Sequence, residues 1–315
     1  MKIVISEFIW PPSLTDLREV AEVVYDQTLW ERQDDLRTEL ATADALIVRN
    51  QTRVSEALLS AGPQLRVVGR LGVGLDNIDV PAARGRNIQI VYARSANAIA
   101  VTEYVFAAMF AVSRKLMEAN LDVKAGRWDR EMFTVTELFG KTLGIVGLGD
   151  IGGRLARRAQ AFGMQILAYD PVVNAQSFAV TEFNVSLVPL DTLLAASDFV
   201  SLHVPLTQQT KHLLNVPRLS QMKSSAWLIN TSRGGVIDES ALYRALGAGQ
   251  LAGAVLDVRA QEPPAPDDLL ATLPNVILTP HVAGLTEEAQ VRTAIMVVED
   301  VLRVLRGEKA LNPVP

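Results

Sequence analysis

Arg233, Glu262 and His281 are the residues of this chain whose types could together carry carboxylate and proton chemistry. Arg233 lies in Ile229-Asn230-Thr231-Ser232-Arg233-Gly234-Gly235, Glu262 in Asp257-Val258-Arg259-Ala260-Gln261-Glu262-Pro263-Pro264, and His281 in Thr279-Pro280-His281-Val282-Ala283-Gly284. Each follows a short apolar run, so each is expected at the carboxyl end of a strand. An arginine offers a planar, permanently charged fork that matches a carboxylate. A histidine titrates near neutrality and can take or return a proton. A carboxylate beside it fixes the tautomer and stabilises the imidazolium. Taken singly, each has a plain structural reading: a surface ion pair, a solvated acid before two prolines, a packed histidine. His203, in Leu202-His203-Val204-Pro205-Leu206-Thr207, also follows an apolar run and is the rival base. His212 sits in a polar segment and looks incidental. Position alone does not choose between His203 and His281.

A second constellation lies in mid-chain. Residues 143–152 read Leu-Gly-Ile-Val-Gly-Leu-Gly-Asp-Ile-Gly. An apolar strand runs into Gly147-x-Gly149-x-x-Gly152, a helix-like segment follows over residues 154–161, and a second apolar strand over 165–169 ends at Asp170. In this context the glycines read as a dinucleotide-binding loop. Gly147 permits the turn, Gly149 lets the backbone approach a pyrophosphate, and Gly152 lets the helix pack on the strand. Asp150 and Ile151 belong to this cofactor-binding loop, and the free N–H groups at the start of the helix face phosphate charge. Asp170 is placed to accept hydrogen bonds from ribose hydroxyls. Its charge repels a 2′-phosphate, and residues 171–178 contain no Lys or Arg to neutralise one, which favours NAD over NADP. With a hydride acceptor of this kind, the Arg, Glu and His suit oxidation of a hydroxy acid or the reverse.

The elements that must position these residues alternate along the whole chain. Apolar runs at 3–6, 23–25, 45–48, 67–69 and 88–91 are separated by helix-like stretches at 14–22, 34–41, 55–61 and 80–85. Such alternation predicts a parallel α/β sheet. Residues 98–122 form one long helical pattern. A second series of six strands begins at Leu143 (143–146, 165–169, 198–202, 226–230, 252–256, 275–278), and a last helix spans 286–306. The expected fold is α/β with two doubly wound parallel-sheet domains. A Rossmann dinucleotide-binding domain, 99–286, is inserted into a flavodoxin-like domain, 1–98 with 287–315.

Composition narrows the partners. The 315 residues carry a net charge of −5, and no basic, aromatic-rich stretch invites nucleic acid. With no cysteine there can be no disulfide, thiolate nucleophile or Cys-based metal site, and no metal is expected; a reducing cytoplasm fits. The opening MKIVISEF reads as a strand too brief for a signal peptide. The most apolar helix, near 104–112, is far shorter than a membrane span.

The chain resembles the D-isomer-specific 2-hydroxyacid dehydrogenases, and among them the phosphoglycerate dehydrogenase branch. The resemblance rests on Gly69-Arg70-Leu71-Gly72-Val73-Gly74-Leu75-Asp76-Asn77-Ile78-Asp79, the Gly147 loop, His203-Val204-Pro205-Leu206-Thr207, Asn230 to Gly235, Leu256-Asp257-Val258, Glu262-Pro263 and Pro280-His281, in that order along nearly the whole chain. It implies that Arg233, Glu262 and His281 are catalytic and that His203 is a cofactor-side residue. It further implies that Asp257 holds the nicotinamide carboxamide, and that Val204, Pro205, Thr231 and Gly284 line the cofactor. The substrate is expected at Val73, Gly74, Arg49 and Asn97. Arg94 stands where phosphoglycerate dehydrogenases usually carry Pro, and Gln261 replaces a common Glu. Arg49 and Arg94 together point to a substrate with a second anionic group, of the phosphoglycerate, sulfolactate or diacid type; glyoxylate and hydroxypyruvate stay open as alternatives. Because the chain stops at Pro315, a C-terminal regulatory domain and serine feedback are expected to be absent. A homodimer through the cofactor domains is implied, with the 100–140 segment at the two-fold and Trp128 and Phe133 covered there or by the chain's own core. A competing class is the corepressor-like scaffold, which uses this fold to sense NAD and recruit peptides. The complete trio argues against it.

Overall fold

The structure, a computed structural model, describes residues 1–314. It divides into two compact units, Met1–Asn97 with Leu285–Pro315, and Ala98–Gly284. The fold is α/β in both.

In the first unit five parallel strands, β1 (Lys2–Ile5), β2 (Glu22–Tyr25), β3 (Ala45–Val48), β4 (Val67–Arg70) and β5 (Gln89–Tyr92), lie in the order β2-β1-β3-β4-β5. Alternate side chains of a strand leave on opposite faces. Ile3 and Ile5 therefore pack in one core with Ile47, Val297 and Val301, and Val4 packs in the other with Leu36, Leu46 and Val48. Burial of both faces explains why β3 reads as an unbroken apolar run. The order reverses between β1 and β3, the position at which open α/β sheets leave a crevice beyond the strand ends.

In the second unit seven parallel strands form the sheet: β6 (Thr142–Val146), β7 (Gln165–Tyr169), β8 (Ser186–Leu187), β9 (Phe199–Leu202), β10 (Trp227–Asn230), β11 (Gly253–Leu256) and β12 (Val276–Leu278). Their order, β12-β11-β10-β9-β6-β7-β8, is doubly wound, with the reversal between β6 and β9. Leu143, Ile145, Phe199 and Ile229 line one core, and Val146, Val200, Leu202 and Leu228 the other.

Three local expectations are corrected. The sheet has a seventh strand, β8, of two residues, too short to show a period. The helix after the glycine loop is Asp150–Ala161, starting four residues earlier than its charged, apolar-striped portion suggested. The long pattern at 98–122 is two helices, Ala98–Arg114 and Leu116–Lys124, parted by Lys115 in the left-handed region at φ 45°. The first buries Val101, Val105, Phe106 and Met109, while the second leaves Leu116, Met117, Leu121 and Val123 exposed. The break falls where burial of apolar side chains stops; no Gly or Pro marks it in the sequence. Among the described residues, no helix is long and apolar enough to cross a membrane.

Candidate active site

The glycine loop leaves the carboxyl end of β6. Gly147 has φ 96°, and a Cβ there would press on the His203 carbonyl carbon, 2.8 Å away. A side chain on Gly152 would run into the Gly147 carbonyl oxygen. These two close approaches seat the helix Asp150–Ala161 directly on the loop. Gly149 is its N-cap and carries no side chain to satisfy the first N–H groups, and the space beside its Cα is open. That is a cradle for phosphate charge at a helix start. Asp170 follows β7 immediately. Its Oδ2 accepts the Leu148 N–H at 2.8 Å, and its Oδ1 accepts the N–H of Val172 (2.9 Å) and Val173 (3.2 Å). The acid that faces a ribose in such sites is thus also a brace between the β7 end and the loop.

The four strands β9 to β12 end on the other predicted residues of this unit. His203 follows β9 and is half-buried. Its Nε2 lies 2.9 Å from Ser201 Oγ, while its buried Nδ1 has no partner. Burial pushes its pKa down to about 3, so the ring is neutral. Thr231, after β10, likewise buries an Oγ1 without a partner. Two orphaned polar atoms at the carboxyl ends of the adjacent strands β9 and β10 fit a group supplied by a ligand. The turn carrying Arg233 is shaped by Asn230, fully buried, whose Nδ2 donates to the Arg233 carbonyl at 3.0 Å while its Oδ1 accepts from Ser232 N–H and Oγ–H. The Arg233 Nη1 donates to the Ser232 carbonyl at 2.7 Å.

Asp257 follows β11 and is 1% exposed. Its Oδ1 accepts from Thr279 Oγ1 (2.6 Å) and Val282 N–H (2.8 Å), and its Oδ2 from Ala283 N–H (2.8 Å). A carboxylate offers about four acceptor positions, so three are taken by the chain itself. Tyr104 Oη reaches Thr279 Oγ1 at 2.5 Å, extending the network to the helix Ala98–Arg114.

His281 sits at φ 56°, a backbone conformation that a histidine adopts rarely and that clusters at working sites. Its Nδ1 lies 2.8 Å from Glu262 Oε2. An ionised carboxylate only accepts, so the proton of the neutral ring belongs on Nδ1 and the lone pair is left on Nε2. The pair is open, with side chains 50% and 39% exposed, so it adds little to stability. An accessible imidazole with a fixed tautomer is what proton transfer requires. Gly284 ends this unit. Val204 and Pro205 follow His203, half-buried and exposed respectively.

The remaining predicted residues belong to the first unit. Arg49 follows β3, and burial lowers its pKa against the opposing charge of Glu7. Glu7, 3% exposed, was not singled out by sequence. Its two oxygens accept the N–H of Arg49 (2.8 Å), Asn50 (3.0 Å), Gln51 (2.8 Å) and Thr52 (2.9 Å). Burial raises its pKa, but these bonds outweigh it and hold the carboxyl below its ordinary value. Asn77 closes the same turn from the other side, donating to the Thr52 carbonyl at 2.8 Å. Val73 and Gly74 lie on the 71–79 loop, Val73 exposed. Arg94 is exposed after β5, with no side-chain hydrogen bond or ion pair among the described residues, and Asn97 is the last residue before the second unit. Trp128 is 78% exposed and therefore does not cover the chain's own core; Phe133 is half-buried. Among the described residues, no group of three or more His, Asp or Glu is placed to hold a metal ion.

Residues 106–283 match the model of the D-isomer specific 2-hydroxyacid dehydrogenase NAD binding domain. The chain is 40% identical to D-3-phosphoglycerate dehydrogenase of Archaeoglobus fulgidus over 314 residues, covering all of this chain and 59% of that one. It is 44% identical to (S)-sulfolactate dehydrogenase of Chromohalobacter salexigens, covering 96% and 98%. Among solved structures it superposes with a TM-score of 0.82 on D-lactate dehydrogenase from Aquifex aeolicus complexed with NAD and lactic acid, at 30% identity over 98% and 96% of the two chains. The chain belongs to the D-isomer specific 2-hydroxyacid dehydrogenase family. Within it, the chain is similar to D-3-phosphoglycerate dehydrogenases, and residues 106–283 are the family's NAD binding domain. It spans a little over half the length of the phosphoglycerate dehydrogenases it matches, 59% of the Archaeoglobus protein.

Proposed function

We propose that this chain interconverts a small D-2-hydroxy acid and its 2-keto acid using NAD. The observation that carries the reading is the His281–Glu262 pair, 2.8 Å apart, in a unit whose glycine loop opens the helix Asp150–Ala161. Residues 98–284 act as the cofactor domain and the other unit as the substrate domain. Gly147, Gly149, Asp150, Ile151 and Gly152 hold the pyrophosphate side of NAD and Asp170 its ribose. His203, Val204, Pro205, Thr231, Asp257 and Gly284 line the rest.

NAD, when bound, supplies the hydride acceptor. Arg233 binds the substrate carboxylate and orients the hydroxyl-bearing carbon. As the C–H bond gives up its hydride, Nε2 of His281 takes the hydroxyl proton and the C=O bond forms. Glu262 steadies the resulting imidazolium through Nδ1. In reduction the imidazolium returns the proton to the keto oxygen. Arg49, Val73, Gly74, Arg94 and Asn97 contact the substrate, and the two arginines select an acid with a second anionic group. The Glu7-braced turn at the half-buried Arg49 supports this preference more firmly than the exposed Arg94 does.

The experiment is NADH and NADPH oxidation against phosphohydroxypyruvate, sulfopyruvate, oxaloacetate, glyoxylate, hydroxypyruvate and pyruvate. Fastest turnover with NADH and a dianionic acid is expected. A preference for glyoxylate or hydroxypyruvate keeps the mechanism and removes Arg94 from it. NADH binding without any turnover would leave the NAD-sensing scaffold as the better account.

The chain acts as a homodimer in the cytoplasm, a setting its cysteine-free composition suits. Leu116, Met117, Leu121, Trp128 and Met132, all more than 60% exposed, form the apolar surface that a second copy would cover. A monomeric mass by light scattering would overturn the dimer.

A further inference from the structure

Glu262 reaches His281 with one carboxylate oxygen only; the other, Oε1, accepts the backbone N–H of Arg259 at 2.9 Å. The direction of the Glu262 carboxylate therefore depends on where the Arg259 peptide lies. That peptide is pinned by its own side chain. The Arg259 guanidinium, on a side chain 8% exposed, donates through Nε and Nη2 to the two oxygens of Glu239, both at 3.1 Å. It meets both oxygens of Asp268 through Nη1 and Nη2. Two bidentate carboxylate partners on one fork leave it little freedom. Hydrogen bonds to Asp268 and Glu239 raise its pKa despite burial, so it is charged at every working pH.

Both acids are themselves anchored. Glu239 is the first residue of the helix Glu239–Gly247, and its Oε1 also accepts the Ala260 N–H at 2.8 Å. Asp268 caps the short turn Leu269–Thr272 through the Leu270 N–H at 3.2 Å. From the other side the loop is closed by Gly234, where any side chain would overlap the Arg259–Ala260 peptide. Gly234 is the neighbour of Arg233. One guanidinium thus ties both ends of the 259–268 loop to the helix that follows the Arg233 turn.

We propose that Glu239, Arg259 and Asp268 form a positioning clamp that aims Glu262 at Nδ1 of His281. This deepens the reading of Glu262 as the partner of the catalytic histidine and rests on it. Arg259 touches no reacting atom; it acts through the orientation of Glu262. A buried arginine with two acids in a polar loop would otherwise be only a staple for the fold, and the two roles differ in what they couple to.

The test compares Arg259→Leu, Arg259→Lys, Glu239→Gln and Glu262→Gln, singly and as Arg259→Leu with Glu262→Gln, in the full chain. One readout is the proton resonance of the His281 Nδ1–H, assigned by its loss in His281→Asn. The other is kcat with NADH and the best keto acid of the panel. The clamp requires Arg259→Leu to shift or lose the resonance. It also requires kcat to fall about tenfold or more while KM and NADH affinity change by no more than about twofold. Arg259→Lys should recover part of kcat, and adding Arg259→Leu to Glu262→Gln should cost nothing further. An unmoved resonance, or losses that multiply in the double variant, would overturn the clamp. If Arg259→Leu fails to fold, Arg259→Lys and Glu239→Gln carry the same two readouts. If Glu262→Gln leaves kcat intact, the role assigned to Glu262 fails, and the resonance alone still decides whether Arg259 aims it.

Discussion

Asp257 holds His281 by its backbone: the Asp257 carbonyl accepts the His281 N–H at 2.8 Å, and its carboxylate takes the N–H groups of the next two residues at 2.8 Å each. A histidine at φ 56° needs such support, because the left-handed turn is unfavourable for a residue with a Cβ. Asp257→Asn would turn one acceptor into a donor facing N–H groups. Leaving those buried donors unpaired costs about 1–3 kcal/mol each. The expected outcome is a clear drop in the melting temperature of the NAD-free protein together with a loss of kcat. Tyr104→Phe, which removes one outer bond of the same network, should cost about 1 kcal/mol or less and spare most of the activity. Thermal denaturation and steady-state kinetics on the two variants check the ordering.

His281→Asn removes the proposed base while keeping polarity and much of the size. Loss of a positioned general base typically costs about 10²–10⁴ in rate. We expect a fall of that order in kcat with NADH affinity unchanged by fluorescence titration. Glu262→Gln should cost less, because the histidine remains and loses only its carboxylate partner. A fully active His281→Asn would transfer the role to His203. That outcome is disfavoured by its partly covered ring, whose Nε2 is engaged by Ser201.

Two tasks are proposed for Asp170, and they separate by substitution. As a charge it should repel a 2′-phosphate; as an acceptor it ties Leu148 to the β7 end. Asp170→Asn keeps one acceptor oxygen and removes the charge. The NADH-to-NADPH ratio of kcat/KM should then collapse towards unity by about one order of magnitude or more. Asp170→Ala loses both tasks, so NADH affinity should fall as well. Equal cofactor preference in wild type and Asp170→Asn would show that the acid does not select the cofactor.

How much of this was legible follows from where the determinants lie in the chain. The glycine loop could be read because its turn, helix and acid fall within 24 residues, from Gly147 to Asp170. The strand-end placement of Arg233, Glu262 and His281 was legible because each follows an apolar run and a parallel sheet brings all strand ends to one edge, but position alone left His203 as a rival base and only the family resemblance preferred His281. Arg259 could not. It looks like a solvated charge until the fold brings it to Glu239, 20 residues back, and Asp268, 9 residues on. Glu7 was equally silent, since the four N–H groups it serves lie 42 to 45 residues later. The break at Lys115 has no breaker residue; it falls where burial of apolar side chains stops. The two-residue β8 offers no pattern at all.

Acid should weaken the protein in two separable windows. The folded-state pKa of His203 is about 3 against 6.5 for a free histidine. As pH falls below about 6.5 the unfolded chain takes up a proton that the folded one refuses, so stability declines down to about pH 3. The residue as a whole is half-buried, so the decline should be shallower than the ~1.4 kcal/mol per pH unit that one proton allows. Glu7 acts lower. Its folded pKa lies below the ordinary 4.5, so its contribution is present above that pH and is lost as pH falls through the folded value. Denaturant unfolding of the NAD-free protein from pH 7 to pH 3 should therefore show a gradual loss that His203→Gln flattens between about 6.5 and 4.5. A steeper loss below about 4.5 should be flattened by Glu7→Gln, at the expense of stability at neutral pH. If His203→Gln leaves the upper window unchanged, the ring is not held neutral by burial, and the decline belongs to another group.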